Sequence, residues 1–307
     1  MSIRPVKRVT QSRPTIEGAG VHLRRAFDFG DTTEFDPFLL FDDFRNDNPD
    51  EYLQGFPWHP HRGIETITYV LAGTVEHGDS LGNRGTLADG DVQWMTAGSG
   101  ILHQEMPKGD AGGRMHGFQL WANLPASLKM TAPRYQDIPG KEVPEVVDDD
   151  GTRVRVVCGS FWGATGPVEG IAADPRYLDI FVPPGRRKTL PVETTRHAFA
   201  YVFAGSGAFR NASHPRPVAT EAVGAPAGEV IGVGGGDQEV GNRSLILFDR
   251  GDEVVVQAGD SGIRFLLVSG RPLEEPVAWY GPIVMNTRDE LRQAMTELQQ
   301  GTFIKHP

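Results

Sequence analysis

The chain has 307 residues, with 30 Lys and Arg against 40 Asp and Glu, a formal net charge of −10 and a pI near 5.4. This balance argues against broad electrostatic binding to nucleic acid, which needs clustered cations to displace counterions, and leaves only a local basic patch open. A single core stops growing at about 250–300 residues, so two domains are expected, and 38 Gly and 23 Pro favour turn-rich β structure.

Lys7-Arg8, Arg24-Arg25 and Arg186-Arg187-Lys188 are the only short basic clusters and read as solvated surface. Met1–Arg13 shows no apolar segment of a secretory leader, and no run approaches the roughly 18 apolar residues of a membrane span. Cys158 is the sole cysteine, so no intrachain disulfide forms; it reads as a buried small hydrophobe. A cytoplasmic protein with no membrane contact is the expectation.

From Phe35 to Leu124 the pattern is one of short strands and turns. Glu65–Leu71 is β-branched and aromatic and ends at Ala72-Gly73. Gly78–Gly90 carries turn dipeptides, Asp91–Thr96 is a further strand, and Gly98-Ser99-Gly100 bends the chain. Pro125–Gly151 reads as the connection between halves, giving expected domains 1–134 and 135–307. Ala225–Gly236 is Gly-rich and reads as a surface loop. Near the end, Thr287 and Glu290 form a capping box, Leu291, Ala294, Met295 and Leu298 recur at helical spacing, and Gly301 stops the helix.

An internal repeat is visible. Tyr69–Gly73 (YVLAG) returns as Tyr201–Gly205 (YVFAG), and Gly90-Asp91 before a strand ending in Ala97-Gly98 returns as Gly251-Asp252 before one ending in Ala258-Gly259. Two matches in the same order suggest a duplicated β domain. The first copy carries His59, His61, Glu65, His103 and Glu105. At these spacings they fall on Pro191, Glu193, His197, Arg264 and Leu266, so the second copy lacks the cluster.

Alternate side chains of a strand share a face, so His59 and His61 point one way, and His103 and Glu105 do the same. Two such pairs on facing strands converge as three imidazoles and one carboxylate. That donor set suits Fe, Mn, Co, Ni, Cu or Zn and, lacking thiolate, argues against a structural zinc site. On an ion preferring six ligands it leaves two positions open. His77 and His116 are the nearest excluded histidines, and Glu65 either ligates or orients a ligand. His22, His197, His214 and His306 show no partner pattern.

FDPFLLFDDF at 35–44, HPHRGIETITY at 59–69, HGDS at 77–80, GDVQWMTAGSGILHQEMP at 90–107, GFQLWANLP at 117–125, PLEEP at 272–276 and YGPIVMNT at 280–287 together resemble the pirin family of the cupin superfamily, over nearly the whole chain. The resemblance implies an all-β bicupin: two antiparallel β-barrels face to face, with metal only in the first and a helix at the C-terminus. It places the ligands on His59, His61, His103 and Glu105 and leaves Glu65 beside them. The expected cofactor is one divalent ion, iron before the others. Some pirin-like proteins are quercetin 2,3-dioxygenases, which implies a flavonol-like aromatic substrate and O2, with Glu105 as the base. Arg62 is read either as stabilising developing negative charge or as a surface salt bridge. Phe56, Trp58, Trp94 and Met95 are candidate pocket walls. Other pirins are similar to regulators acting through protein partners, which is the alternative function.

Overall fold

The computed structural model describes residues 2–211 and 239–306. Expectations for His214 and for the loop Ala225–Gly236 lie outside these residues. The described chain is mostly β, as its composition suggests, and forms two units.

In the first unit a seven-stranded antiparallel sheet faces a four-stranded one. Within the larger sheet Ile64–Ala72 is flanked by Val92–Thr96 and His116–Asn123. The smaller one contains Phe56–His61, Ile101–Lys108 and Thr74–Asp79. Strand parity sets what points inward. Along Ile101–Lys108, Ile101, His103, Glu105 and Pro107 are buried, while Leu102, Gln104 and Met106 between them are only half-buried.

The second unit is a nine-stranded sheet. Two long strands, His197–Phe209 and Glu253–Gly270, bend through it and serve both of its faces. Its interior is filled by apolar side chains such as Leu190, Val192, Val254 and Val256. The sheets of both units stay open, so among the described residues no closed barrel forms. Nor do the sheets follow a single cut at 134/135. Val6–Gln11 pairs with Ser244–Phe248 in the second unit, and Arg134–Ile138 pairs with Val92–Thr96 in the first. Each of these strands adds to a sheet edge, Val6–Gln11 in the far half of the chain and Arg134–Ile138 in the first unit, which satisfies its backbone groups.

The two large sheets pack through a shared aromatic core that includes Phe41, Trp94 and Phe118 of the first unit and Phe199, Phe203 and Leu266 of the second. The repeated tyrosines cross this interface reciprocally. Tyr69 donates to Asp179 at 2.8 Å, and Arg264 clamps the same carboxylate at 2.9 and 2.7 Å. Tyr201 donates to Asp43 at 2.8 Å, and Arg45 clamps that carboxylate at 2.7 and 2.5 Å. Each buried acid is thereby paired and hydrogen-bonded, the condition under which a buried charge is tolerated.

The C-terminal segment returns to the first unit. Val284 donates to the Arg62 carbonyl at 3.0 Å. Gly63, at φ +76°, has no room for a side chain, since a Cβ there would sit 1.9 Å from the Val284 carbonyl oxygen. The helix Arg288–Gln300 follows, with the Thr287/Glu290 capping box formed and Gly301 in the left-handed conformation.

Candidate metal centre

Antiparallel pairing of Phe56–His61 with Ile101–Lys108 sets His59 opposite His103 and His61 opposite Ile101. The three imidazoles meet inside the first unit, with one nitrogen of each within 4.8 Å of the others. His59 Nε2 and His61 Nε2 are 3.0 Å apart. The His59 Nδ1 lies 2.8 Å from the Pro57 carbonyl, to which it donates, leaving its Nε2 as the lone-pair donor. Burial pushes the His61 imidazole well below its usual pKa, and it pushes His103 down to about 4 against the opposing pull of Glu105. Both are therefore neutral, the form that binds metal.

His61 Nδ1 and both ring nitrogens of His103 are buried without a hydrogen-bond partner. Buried polar atoms left unpaired are costly unless something else engages them. Three converging imidazoles fit a divalent first-row cation, which would satisfy the nitrogens that face inward.

Glu105 lies outside the three-histidine set but faces the same space. Its carboxylate accepts from Thr68 Oγ1 at 3.2 Å and from Gln119 Nε2 at 3.2 and 3.1 Å. Gln119 also accepts from the Trp121 indole at 3.2 Å, and Trp121 meets the His61 ring edge-on at 5.1 Å. Thr68, Gln119 and Trp121 were not singled out in the sequence. The period-two placement of Gln119 and Trp121 in GFQLWANLP is the one signal that could have found them.

A cleft of about 540 Å³ opens over the histidines. Phe56, Trp58, Trp121 and Trp279 are among its walls. Trp279, from the C-terminal segment, stacks on Phe29 at 4.1 Å and is 47% exposed. Arg25 also lines the cleft and holds both oxygens of Asp42, at 2.9 and 2.8 Å. Burial pushes Asp42 up to about 6 even against this pull. Phe56 and Trp58 stand where the sequence suggested, but Trp94 and Met95 do not. Trp94 belongs to the core between the units, and Met95 packs with Leu39, Ile64 and Ile101.

Two further expectations are corrected. Arg62 is neither at the surface nor over the site. It is 2% exposed and turned toward the C-terminal helix, donating to Glu297 at 2.7 Å and to the Phe303 carbonyl at 2.7 Å, with the Phe303 ring at 4.1 Å. Glu65 shares a strand face with Ile67 and Tyr69 and accepts from Thr96 at 2.7 Å, so it orients no histidine. Burial, partly countered by Thr96 and Trp94, lifts its pKa to about 7.

His77 sits opposite Glu105 across the sheet and stacks on Tyr135, outside the histidine set. His116 lies 2.6 Å from Asp47 and His22 3.7 Å from Glu51, both away from the centre.

Sheet register also corrects the internal alignment. Val75 faces Pro107 as Gly207 faces Ala258, and His59 faces His103 as Leu190 faces Val254. The counterparts of His59, His61, His103 and Glu105 are thus Leu190, Val192, Val254 and Val256. Gly251-Asp252 opens the partner of the His103 strand rather than of Val92–Thr96, so that match of spacing was fortuitous. The second unit still lacks the cluster.

Among the described residues no helix is long and apolar enough to cross a membrane. A pirin-like protein of Caulobacter vibrioides is 42% identical over 99% of this chain and 100% of its own length. One from Solanum lycopersicum is 38% identical over 96% of this chain and 91% of its own. The crystal structure of quercetin 2,3-dioxygenase from Acinetobacter baumannii superposes with a TM-score of 0.82 at 29% identity, covering 98% of this chain and 99% of that one. Residues 20–122 match the model of the pirin family and residues 177–304 that of the pirin C-terminal cupin domain, and with this fold and this one-sided histidine centre the chain belongs to the pirin family, a bicupin of the cupin superfamily.

Proposed function

We propose that the protein is a metal-dependent dioxygenase that opens planar phenolic substrates of the flavonol kind with O2. The observation that carries this reading is a three-histidine centre at the floor of an aromatic-walled cleft, with a hydrogen-bonded carboxylate beside it. The likeness to the Acinetobacter quercetin 2,3-dioxygenase supports it.

The residues divide the work as follows. His59, His61, His103 and Glu105 hold one divalent ion, iron before other metals. When bound, that ion supplies Lewis acidity toward a phenolate oxygen and a site for oxygen chemistry. Trp58, Trp121 and Trp279 stack on a flat ring and keep water from it. Glu105 accepts the proton of the substrate hydroxyl, and Thr68 and Gln119 fix the carboxylate for that transfer. Phe56 completes the wall between the aromatic rim and Glu105.

Loss of the flavonol absorbance of quercetin and release of carbon monoxide by Fe(II)-loaded protein test the reading. Turnover is expected to vanish in His61→Ala and to fall about 10²–10⁴-fold in Glu105→Gln with metal retained. Metal-loaded protein that leaves quercetin intact but captures a protein partner only in its loaded state would replace this reading with the regulatory one.

A further inference from the structure

Beyond Glu105, the first unit holds a second and smaller chamber. Its volume is about 30 Å³, and Val21, Leu23, Phe44, Val75, Pro107 and Met115 are among the residues that line it. Thr68 and Tyr52 also reach it. Asp42, Phe56, Glu105 and Gln119 line both this chamber and the cleft, so they form the partition between the two.

Size limits the occupant. A single water needs about 10–15 Å³, and an apolar cavity that takes benzene is near 150 Å³. The chamber is therefore too small for any aromatic ring and large enough for a diatomic molecule. Chemistry narrows it further. A buried water requires two to four polar partners. Here the donors on the wall are already used: Thr68 and Gln119 donate to Glu105, and the Tyr52 hydroxyl donates to the Gly113 carbonyl at 2.8 Å. The carboxylates on the wall are already bonded, Asp42 to Arg25 and Glu105 to Thr68 and Gln119, so neither depends on an occupant for a partner. The remaining surface is hydrocarbon and thioether, which favours an occupant that asks for no hydrogen bond.

We infer that this chamber is a binding site for dioxygen, a small apolar gas, placed on the opposite side of Glu105 from the aromatic cleft. The identity of the gas rests on the dioxygenase reading above. The position gives such an enzyme an advantage that one common entrance would not. A planar substrate stacked between Trp58 and Trp279 covers the cleft, and gas held behind the Glu105–Gln119 partition reaches the centre without passing the substrate. Val75 is the controlling residue. It is 4% exposed, lines the chamber, and lies on the strand paired with that of Glu105 without touching the metal centre's histidines in register.

Oxygen is paramagnetic, so its residence is measured without turnover. The full chain in a diamagnetic state, metal-free or zinc-loaded, is labelled at methyl groups and its proton relaxation compared under oxygen and under nitrogen. The methyls of Val21, Leu23, Val75 and Met115 are expected to relax several-fold more strongly under oxygen than the equally buried methyls of Leu190, Val254 and Val256. Val75→Leu should abolish the excess and Val75→Ala should increase it, so the second variant decides if the first fails to fold. Equal enhancement in the two units, or an excess unchanged in both variants, overturns the proposal. In the quercetin assay Val75→Leu should raise the KM for oxygen several-fold and leave that for quercetin unchanged; an unchanged oxygen KM also overturns it. A methyl excess together with no quercetin turnover would retain the gas site and remove only the flavonol reading.

Discussion

Replacing Arg62 separates a structural arginine from a catalytic one. Breaking a buried ion pair costs about 3–5 kcal/mol when a charge is stranded. Glu297 would not be stranded: its side chain is 15% exposed, and Lys305 at 3.0 Å and Gln293 at 3.0 Å remain. What is lost in Arg62→Met is one charge-assisted hydrogen bond, the partner of the Phe303 carbonyl and the stacking on the Phe303 ring. Part of this returns as apolar burial of the methionine, leaving a net loss of about 2–4 kcal/mol. Urea denaturation followed by tryptophan fluorescence reads it. Burial works against ionisation of Glu297, but Arg62, Lys305 and Gln293 outweigh it and hold the carboxyl at about 2. Because the folded pKa is depressed, the pair's contribution is present above the ordinary carboxylate range and disappears as pH falls from about 4.5 toward 2. Turnover per bound metal should stay within about threefold of wild type, since the guanidinium faces away from the cleft. Unchanged stability with turnover reduced by orders of magnitude would refute this account and return Arg62 to the substrate.

Glu65→Gln should flatten the pH dependence of stability. Glu65 ionises near 7 when folded, so its burial penalty enters as pH rises from about 4.5 through 7 and reaches about 3 kcal/mol above that; urea midpoints between about pH 5 and 8 should show the variant gaining on wild type. A slope that survives the substitution would point to another group. Tyr69→Phe and Tyr201→Phe should each lose about 1–3 kcal/mol, and by similar amounts, because each removes one hydrogen bond from an acid that keeps its arginine; a difference of several kcal/mol between them would contradict the reciprocal arrangement. Trp279→Ala should raise the KM for a flavonol by up to about tenfold with kcat little changed, the size of one lost stacking contact; an unchanged KM would remove Trp279 from the substrate wall. The double variant His61→Val/His103→Val should bind no metal yet raise the metal-free chain's stability by about 1–3 kcal/mol, as calorimetry would register, because desolvated imidazoles without partners are replaced by packed side chains; a less stable variant would show that these imidazoles are satisfied without metal.

The histidine pairs were legible because strand parity is local: residues two apart share a face whatever the rest of the chain does. The same parity, carried one step further, separates Arg62 from His61 and joins Glu65 to Ile67 and Tyr69. It also forbids Trp94 and Met95 from lining one pocket together, since neighbours on a strand face opposite ways. Beyond Phe56 and Trp58 the aromatic wall was not legible, because Phe29, Trp121 and Trp279 come from three distant segments and meet only when the C-terminal segment crosses the first unit. The helix was readable to its caps, since a capping box and a terminal glycine are decided within a few residues. The open sheets and the exchanged edge strands depend on long-range pairing, on which local periodicity is silent.

The two units show what the same scaffold does with four inward positions. In the second unit they hold Leu190, Val192, Val254 and Val256, each 2% exposed or less. Burying such a side chain is worth about 1.5–3 kcal/mol, so these positions strengthen a core that nothing needs to enter. In the first unit the same positions hold three imidazoles and a carboxylate, and His61 Nδ1 and both ring nitrogens of His103 are desolvated without a hydrogen bond in return. The deficit is offset elsewhere: by the aromatic core against the second unit, by two reciprocal tyrosine–aspartate–arginine clusters, and by the C-terminal segment fastened through Arg62 directly after His61. The shared core with the second unit thus contributes burial that the polar positions of the first do not.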